Sequence, residues 1–161
     1  MNGAVTVRPA RAADKSAIGR LGAMLVAEHH AFDPLRFIAP VPGLAERYGS
    51  FLISQADKPD RIVLVAERSG AVVGYAYGGV EGNDYMVLRG PAGELYDVVV
   101  DPDHRRQGVG TELLSAAIAA LEELGAPRVV LFTADRNRIA QAIFAKAGFR
   151  RTMIEMTREL D

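Results

Sequence analysis

The segment Asp103-His104-Arg105-Arg106-Gln107-Gly108-Val109-Gly110-Thr111-Glu112-Leu113 constrains this chain more than any other. It follows an apolar, β-branched run from Leu95 to Val100, closed by Asp101-Pro102, and it opens a strongly helix-forming stretch. Strand, basic glycine-containing turn and helix N-terminus, in that order, make an anion site. The first N–H groups of a helix have no intrahelical partner, and the helix dipole adds partial positive charge there. Gly108 and Gly110 carry no Cβ to hold a phosphate off the backbone, and Arg105 and Arg106 add mobile positive charge. The ligand that suits this combination is a pyrophosphate.

Spacing narrows the choice. A P-loop needs G-x-x-x-x-G-K-[ST], and no Lys follows these glycines. A dinucleotide fingerprint needs G-x-G-x-x-G, and its third position here is Leu113. What stands in the chain is Arg105-x-x-Gly108-x-Gly110 directly behind a Val-Asp-Pro strand end.

The chain has 161 residues, which suits one domain, 1–161, able to bury a full core. A net charge of −1 argues against wholesale binding of nucleic acid or anionic membrane, so the basic turn is a local patch. Cysteine is absent, which excludes disulfides and Cys-based metal sites and fits a reducing cytoplasm. It also removes the commonest covalent acyl carrier, so acyl transfer would run directly from donor to acceptor. Met1 to Arg11 lacks the apolar core of a signal peptide, and no apolar run approaches membrane-spanning length. A soluble, cytoplasmic protein is expected, with a homodimer left open.

Periodicity supplies the order of elements. Val5 to Arg8 reads as a strand ended by Pro9, and Asp14 can cap a helix from Lys15 to about His29. An irregular connector spans Phe32 to Pro42, followed by a helix from Leu44 to Gln55. Arg61 to Glu67 and Ala71 to Val80 read as a hairpin about Ser69-Gly70. Between Glu81 and Ala92, Tyr85 to Leu88 suggests an extended edge. Then come a strand from Glu94 to Val100 and a helix from Val109 to Leu124 stopped by Gly125-Ala126-Pro127. Arg128 to Thr133 reads as a buried strand, and Asp135 or Asn137 as the cap of a helix through Ala147. Phe149 to Glu159 reads as a final strand. The expected order is β-α-α-β-β-β-α-β-α-β. It gives an α/β fold with a mixed, mostly antiparallel sheet of about six or seven strands and helices on both faces.

Arg105-x-x-Gly108-x-Gly110 resembles the acetyl-coenzyme A signature [QR]-x-x-G-x-[GA] of the GNAT acetyltransferase superfamily, and the order of elements is similar over nearly the full chain. Asn137-x-x-Ala140-x-x-Ile143-Phe144-x-Lys146-x-Gly148-Phe149 is similar to that family's N-x-x-A-x-x-L-Y-x-K-x-G-F stretch. The resemblance implies transfer of an acetyl group from acetyl-coenzyme A to a primary amine, with no metal. It implies that the β strand before the signature splays from the next parallel strand, with coenzyme A in the gap. The backbone of Val98 and Val100 would then bind the pantetheine arm, and an N–H near Val98 or Val99 would polarise the thioester carbonyl. Arg105, Arg106, Gln107, Gly108, Val109, Gly110 and Thr111 would hold the pyrophosphate; Asn137 would bind the pantetheine arm and Phe144 would pack beside the sulfur.

An amine with a pKa of roughly 10.4 is mostly protonated at neutral pH, so some group must take its proton. Two carboxylates stand on the signature strand. Glu94 falls where the histone-acetylating branch of the family carries its base. Asp97 lies in Tyr96-Asp97-Val98-Val99-Val100, which resembles a Tyr-Asp-Leu-Ala-Val run of aminoglycoside 3-N-acetyltransferases. In a regular strand the two point to opposite faces. One departure concerns the acid: the family commonly has Tyr where this chain has Phe144, so water, the acceptor's own proton, Tyr85 or Tyr96 would have to protonate the departing thiolate.

The acceptor is expected between residues 28–50 and 81–92, where Asp33, Glu46, Glu81 and Asp84 would favour a cation and His29 or His30 could line the pocket. Glu28-His29-His30 is no metal motif, since adjacent helical residues diverge, and His104 is expected near phosphate or water. A small amine, an aminoglycoside, an amino acid and a protein amine all fit. The alternative reading is a catalytically weak acyl-coenzyme A-binding sensor or regulatory module, kept open by Phe144.

Overall fold

Strand β2 (Arg61–Arg68) carries an unbroken apolar run, Ile62 to Ala66, and it can do so because both its faces are covered there. Ile62, Leu64 and Ala66 join one core, and Val63 and Val65 join the other. The structure, a computed structural model, describes residues 3–161. Around β2 lie β1 (Thr6–Pro9), β3 (Ala71–Glu81), β4 (Ala92–Val100) and β5 (Val129–Leu131), in the spatial order β1-β2-β3-β4-β5. Strands β1 to β4 pair antiparallel in succession, and β5 pairs parallel with β4.

Helices α1 (Lys15–Phe32) and α2 (Leu44–Ala56) bury Ile18, Leu21 and Leu52 on one face of the sheet. Helix α3 (Val109–Glu123), the crossover between β4 and β5, buries Val109, Leu113, Leu114, Ala117 and Leu121 on the other. Helix α4 (Arg138–Lys146) adds Ile143 and Phe144 to that side. Among the described residues, no helix is long and apolar enough to cross a membrane.

The crossing of α1 over α2 depends on glycine. A Cβ on Gly19 would stand 2.2 Å from the Ala45 carbonyl oxygen, and one on Gly49 would stand 2.4 Å from that of Lys15. Gly19→Ala should therefore force the helices apart, at a cost of about 3 kcal/mol. Thermal melting should show it as a fall in Tm of about 6–12 °C; an unchanged Tm would mean that the crossing can open at no cost.

Four expectations need correction. Among the described residues the sheet has five strands, and the element order ends at α4, because the tail beyond Phe149 forms no strand. Its apolar residues Met153, Ile154 and Met156 do not alternate, and charged Arg150, Arg151, Glu155 and Arg158 intervene, so neither face is specified. The expected buried strand 128–133 is a half-buried three-residue strand. Tyr85 to Leu88 is a turn, not an extended edge: Asp84 and Arg89 exchange backbone hydrogen bonds of 2.8 and 2.9 Å across it. Asp14 precedes α1 without capping it, since its carboxylate accepts from Arg8 at 2.8 Å and from the Arg11 N–H at 2.7 Å.

Candidate active site

The β4–β5 ladder is short. It sets Gly93, Glu94 and Leu95 against Val129, Val130 and Leu131 and then ends, so from Tyr96 to Val100 strand β4 has a partner only on its β3 side. The main-chain edge of Val98 to Val100 on the β5 side therefore has no strand partner. Val98 and Val100 pack toward α3, and Val99 is buried beneath α1 and α2.

At the end of that edge lies the glycine turn. Gly108 takes φ 83°, a left-handed conformation that favours glycine, and it precedes α3 without any side-chain cap. The first-turn N–H groups of α3 thus have no capping side chain. A Cβ on Gly110 would meet only Val100, at 3.6 Å, so the fold itself does not demand glycine there. Arg106, with φ 60°, holds an unfavourable backbone conformation of the kind that clusters at functional sites. Arg105 folds back, donating from Nε to the Val100 carbonyl at 3.0 Å and pairing with Glu28 at 2.6 Å. Gln107 is held by Arg68 and donates to the Asp103 carbonyl at 3.2 Å. Val109 is buried in the core and offers only its backbone, whereas Thr111 is exposed.

Asn137 caps α4 by accepting the Ala140 N–H on Oδ1 at 3.1 Å. Phe144 lies edge-on to Phe149, with ring centroids 6.0 Å apart.

The two carboxylates of β4 do not point to opposite faces. Tyr77 is opposite Asp97 and Gly78 is opposite Leu95, so Tyr96 is an extra residue, a β-bulge, and the alternation slips by one. Glu94, Tyr96 and Asp97 all lie toward α1 and α2, while Leu95 enters the α3 core. Glu94 and Tyr96 line a cleft of about 480 Å³ with Glu81, Asp84, Tyr85 and Arg89. Arg89 bonds Glu94 at 3.0 Å, and the Tyr96 hydroxyl bonds Glu81. Burial pushes the Glu94 carboxyl above the usual carboxylate range; Arg89 opposes the rise, and Glu81 and Asp84 add to it.

Asp97 is buried beneath two phenols. Tyr48 of α2 and Tyr75 of β3 both donate to its Oδ2, at 2.5 and 2.9 Å. Burial raises its carboxyl above the usual range, and the two hydroxyls hold the rise back.

Of the four acidic residues expected at the acceptor side, Glu81 and Asp84 line the cleft. Glu46 instead pairs with Lys15 at 2.5 Å, and Asp33 accepts the Leu35 N–H. His30 reaches the α1–α2 connector through an Nδ1 contact to the Phe37 carbonyl at 2.9 Å, whereas the Nδ1 contact of His29 stays within α1, to the Leu25 carbonyl at 2.8 Å. His104 is beside the turn, lining a second cleft with Arg68 and Gln107. Among the described residues, no three His, Asp or Glu side chains group to hold a metal. Arg89 and Tyr48 were not legible as site residues: Arg89 reads as one more loop charge, and Tyr48 as one more position on an apolar helical stripe.

The sequence profile of the Acetyltransferase (GNAT) family matches residues 24–149. The chain belongs to the GNAT acetyltransferase family. A mycothiol acetyltransferase from Nocardioides sp. is 31% identical over 154 residues, covering 90% of this chain and 50% of that protein. Another, from Thermobispora bispora, is 35% identical over 96 residues, covering 57% of this chain and 31% of its own length. The chain thus spans 31% to 50% of the length of these curated relatives. Among solved structures, the GNAT fold recurs in an aminoglycoside N-acetyltransferase in complex with CoA, with TM-score 0.76 at 17% identity over 99% of this chain and 97% of that one. A mutant form of the BH1408 protein from Bacillus halodurans gives TM-score 0.80 at 19% identity, covering 96% of this chain and 99% of that one.

Proposed function

We propose that this chain is an acetyl-coenzyme A-dependent N-acetyltransferase that moves the acetyl group directly onto a primary amine in the cytoplasm. The observation that carries the reading is the open β4 edge, Tyr96 to Val100, leading from the acidic cleft to the uncapped N-terminus of α3. A thioester on a pantetheine arm laid along that edge would have its pyrophosphate at Gly108 to Thr111 and its acyl end at the cleft. The cradle fits the group, since the turn has room at Gly108 and Gly110 and unpartnered N–H donors.

Acetyl-coenzyme A supplies an activated acyl group and a thiol leaving group. In this reading Glu94 takes the proton of the attacking amine, directly or through water. Its position on the cleft wall and its raised pKa suit that role better than the buried position of Asp97. A backbone N–H near Val98 or Val99 supports the charge that develops on the thioester oxygen. Arg106 and the N–H groups of Val109, Gly110 and Thr111 hold phosphate, with Arg105 and Gln107 at the same turn. The NH₂ group of Asn137, whose oxygen is used in capping, would be free to donate to the pantetheine arm. The carboxylates Glu81 and Asp84 favour a cationic acceptor.

Phe144 brings no proton to the leaving thiolate. Phe144→Tyr adds one oxygen to the same ring and is expected to raise turnover severalfold without altering the melting shift caused by acetyl-coenzyme A. A large fall in rate would show that the ring edge has no room for a hydroxyl and is not a vacant acid position. The reading as a whole is tested by release of free thiol from acetyl-coenzyme A in the presence of a small amine, an aminoglycoside, an amino acid and a peptide. Amine-dependent release is expected; coenzyme binding without release by any of the four would favour the sensor reading.

A further inference from the structure

Helix α2 grips the β4 bulge on both sides. Tyr48 donates its hydroxyl to Asp97, the residue just after the bulge. One turn on, Phe51 meets Tyr77 edge-on at 5.8 Å, and Tyr77 lies 4.9 Å from the ring of Tyr96, the bulge residue itself. Residues three apart share a helix face, so these two contacts act together. The Tyr48 ring is in turn fixed by α1, where a Cβ on Gly22 would stand 2.1 Å from it.

The bulge lies where β4 leaves β5, since Leu95 makes the last pair of that ladder. An extra residue in a strand bends it and turns main-chain groups away from their ladder partners. Here it also brings Glu94 to the same side as Asp97 and the cleft. A carboxylate buried as deeply as Asp97 needs its donors, and both phenols go to one oxygen, Oδ2.

We propose that Tyr48 is a positioning residue for acetyl transfer: through Asp97, its hydroxyl fixes the β4 bulge and couples that bulge to helix α2. The proposal rests on the acetyltransferase reading for its consequence in turnover, while the pin itself is a property of the fold. Asp97 here holds the strand, and Glu94 takes the proton. The groups around Asp97 are Tyr48 from α2, Tyr75 and Tyr77 from β3 and His29 from α1.

The test compares Tyr48→Phe, Tyr75→Phe, Asp97→Asn and Asp97→Leu with the unaltered protein, by steady-state kinetics and by amide hydrogen exchange along β4. Tyr48→Phe keeps the ring against Gly22 and removes only the hydroxyl. It is expected to lower kcat about tenfold, to leave KM for acetyl-coenzyme A within about threefold, and to speed exchange of the Tyr96 to Val98 amides about tenfold. Asp97→Asn keeps an oxygen that can accept both phenols, so its kcat should stay within about threefold, while Asp97→Leu should behave like Tyr48→Phe. Tyr75→Phe removes the other donor from the same oxygen and decides the matter if Tyr48→Phe does not fold. A lower Tm with unchanged kcat and unchanged β4 exchange would overturn the proposal, leaving Tyr48 a purely structural residue. So would loss of turnover in Asp97→Asn with full turnover in Tyr48→Phe, which would make Asp97 the base. If the unaltered protein acetylates no amine, the acetyltransferase reading fails, and β4 exchange in the variants still decides the pin.

Discussion

Glu94→Gln is expected to lower kcat at pH 7 by about 10²–10⁴-fold, the range that loss of a positioned general base produces. The rate should recover as pH rises and free amine becomes abundant. The unaltered enzyme carries a second signature. A base works only when ionised, and burial holds the Glu94 carboxyl above the ordinary value of about 4.3. Activity should therefore fall on acidification at a pH above the usual carboxylate range. Arg89 is the opposing influence, so Arg89→Gln should move that limb to still higher pH. A Glu94→Gln enzyme with full activity at pH 7 would remove Glu94 from the chemistry.

Gly110→Val is expected to abolish the stabilisation that acetyl-coenzyme A confers. A ligand that binds only the folded state stabilises it by about 2.7 kcal/mol at a concentration of 100 Kd, which for a chain of this size raises Tm by roughly 5–10 °C. Gly110 has an ordinary backbone conformation, and its nearest neighbour for a Cβ is Val100 at 3.6 Å, so the variant should fold. What the branched side chain obstructs is the approach of phosphate to the first-turn N–H groups of α3. Gly108 would be a poorer probe, because its φ of 83° makes any substitution strain the turn itself. A full melting shift in Gly110→Val would put the anion site elsewhere.

The elements that carry the coenzyme turn were legible because each has a local cause. Strand β4 ends in a β-branched run, Val98 to Val100, the turn holds Gly108 and Gly110, and α3 presents Leu114, Ile118 and Leu121 at helical spacing. Their order also fixed the parallel crossover between β4 and β5. The tail was not legible for the opposite reason. It has β-forming residues, but whether such residues form a strand depends on an edge to pair with, and β5 offers only Val129 to Leu131. The turn at Tyr85 to Leu88 was missed because its cause is a side chain: Asp84 Oδ1 accepts the Met86 N–H at 2.9 Å and bends the chain.

At the site, period-two reasoning placed Glu94 and Asp97 on opposite faces, and the one extra residue at Tyr96 reversed that. No residue type announces such a bulge. Its consequence is chemical, since it leaves one carboxylate on a cleft wall and the other under two phenols. Arg89 escaped for a related reason: it reaches Glu94 only because the Asp84–Arg89 turn folds back over the start of β4.

The central claim is tested most directly by following the acetyl group itself. Acetyl-coenzyme A labelled in the acetyl carbonyl is mixed with the protein and a cationic primary amine, and the label is traced among coenzyme, protein and amine. The account predicts label on the amine nitrogen, one free thiol per acetyl transferred, and none left on the protein. Label retained on coenzyme A with every amine, although the coenzyme binds, would contradict it, as would label carried covalently by the chain.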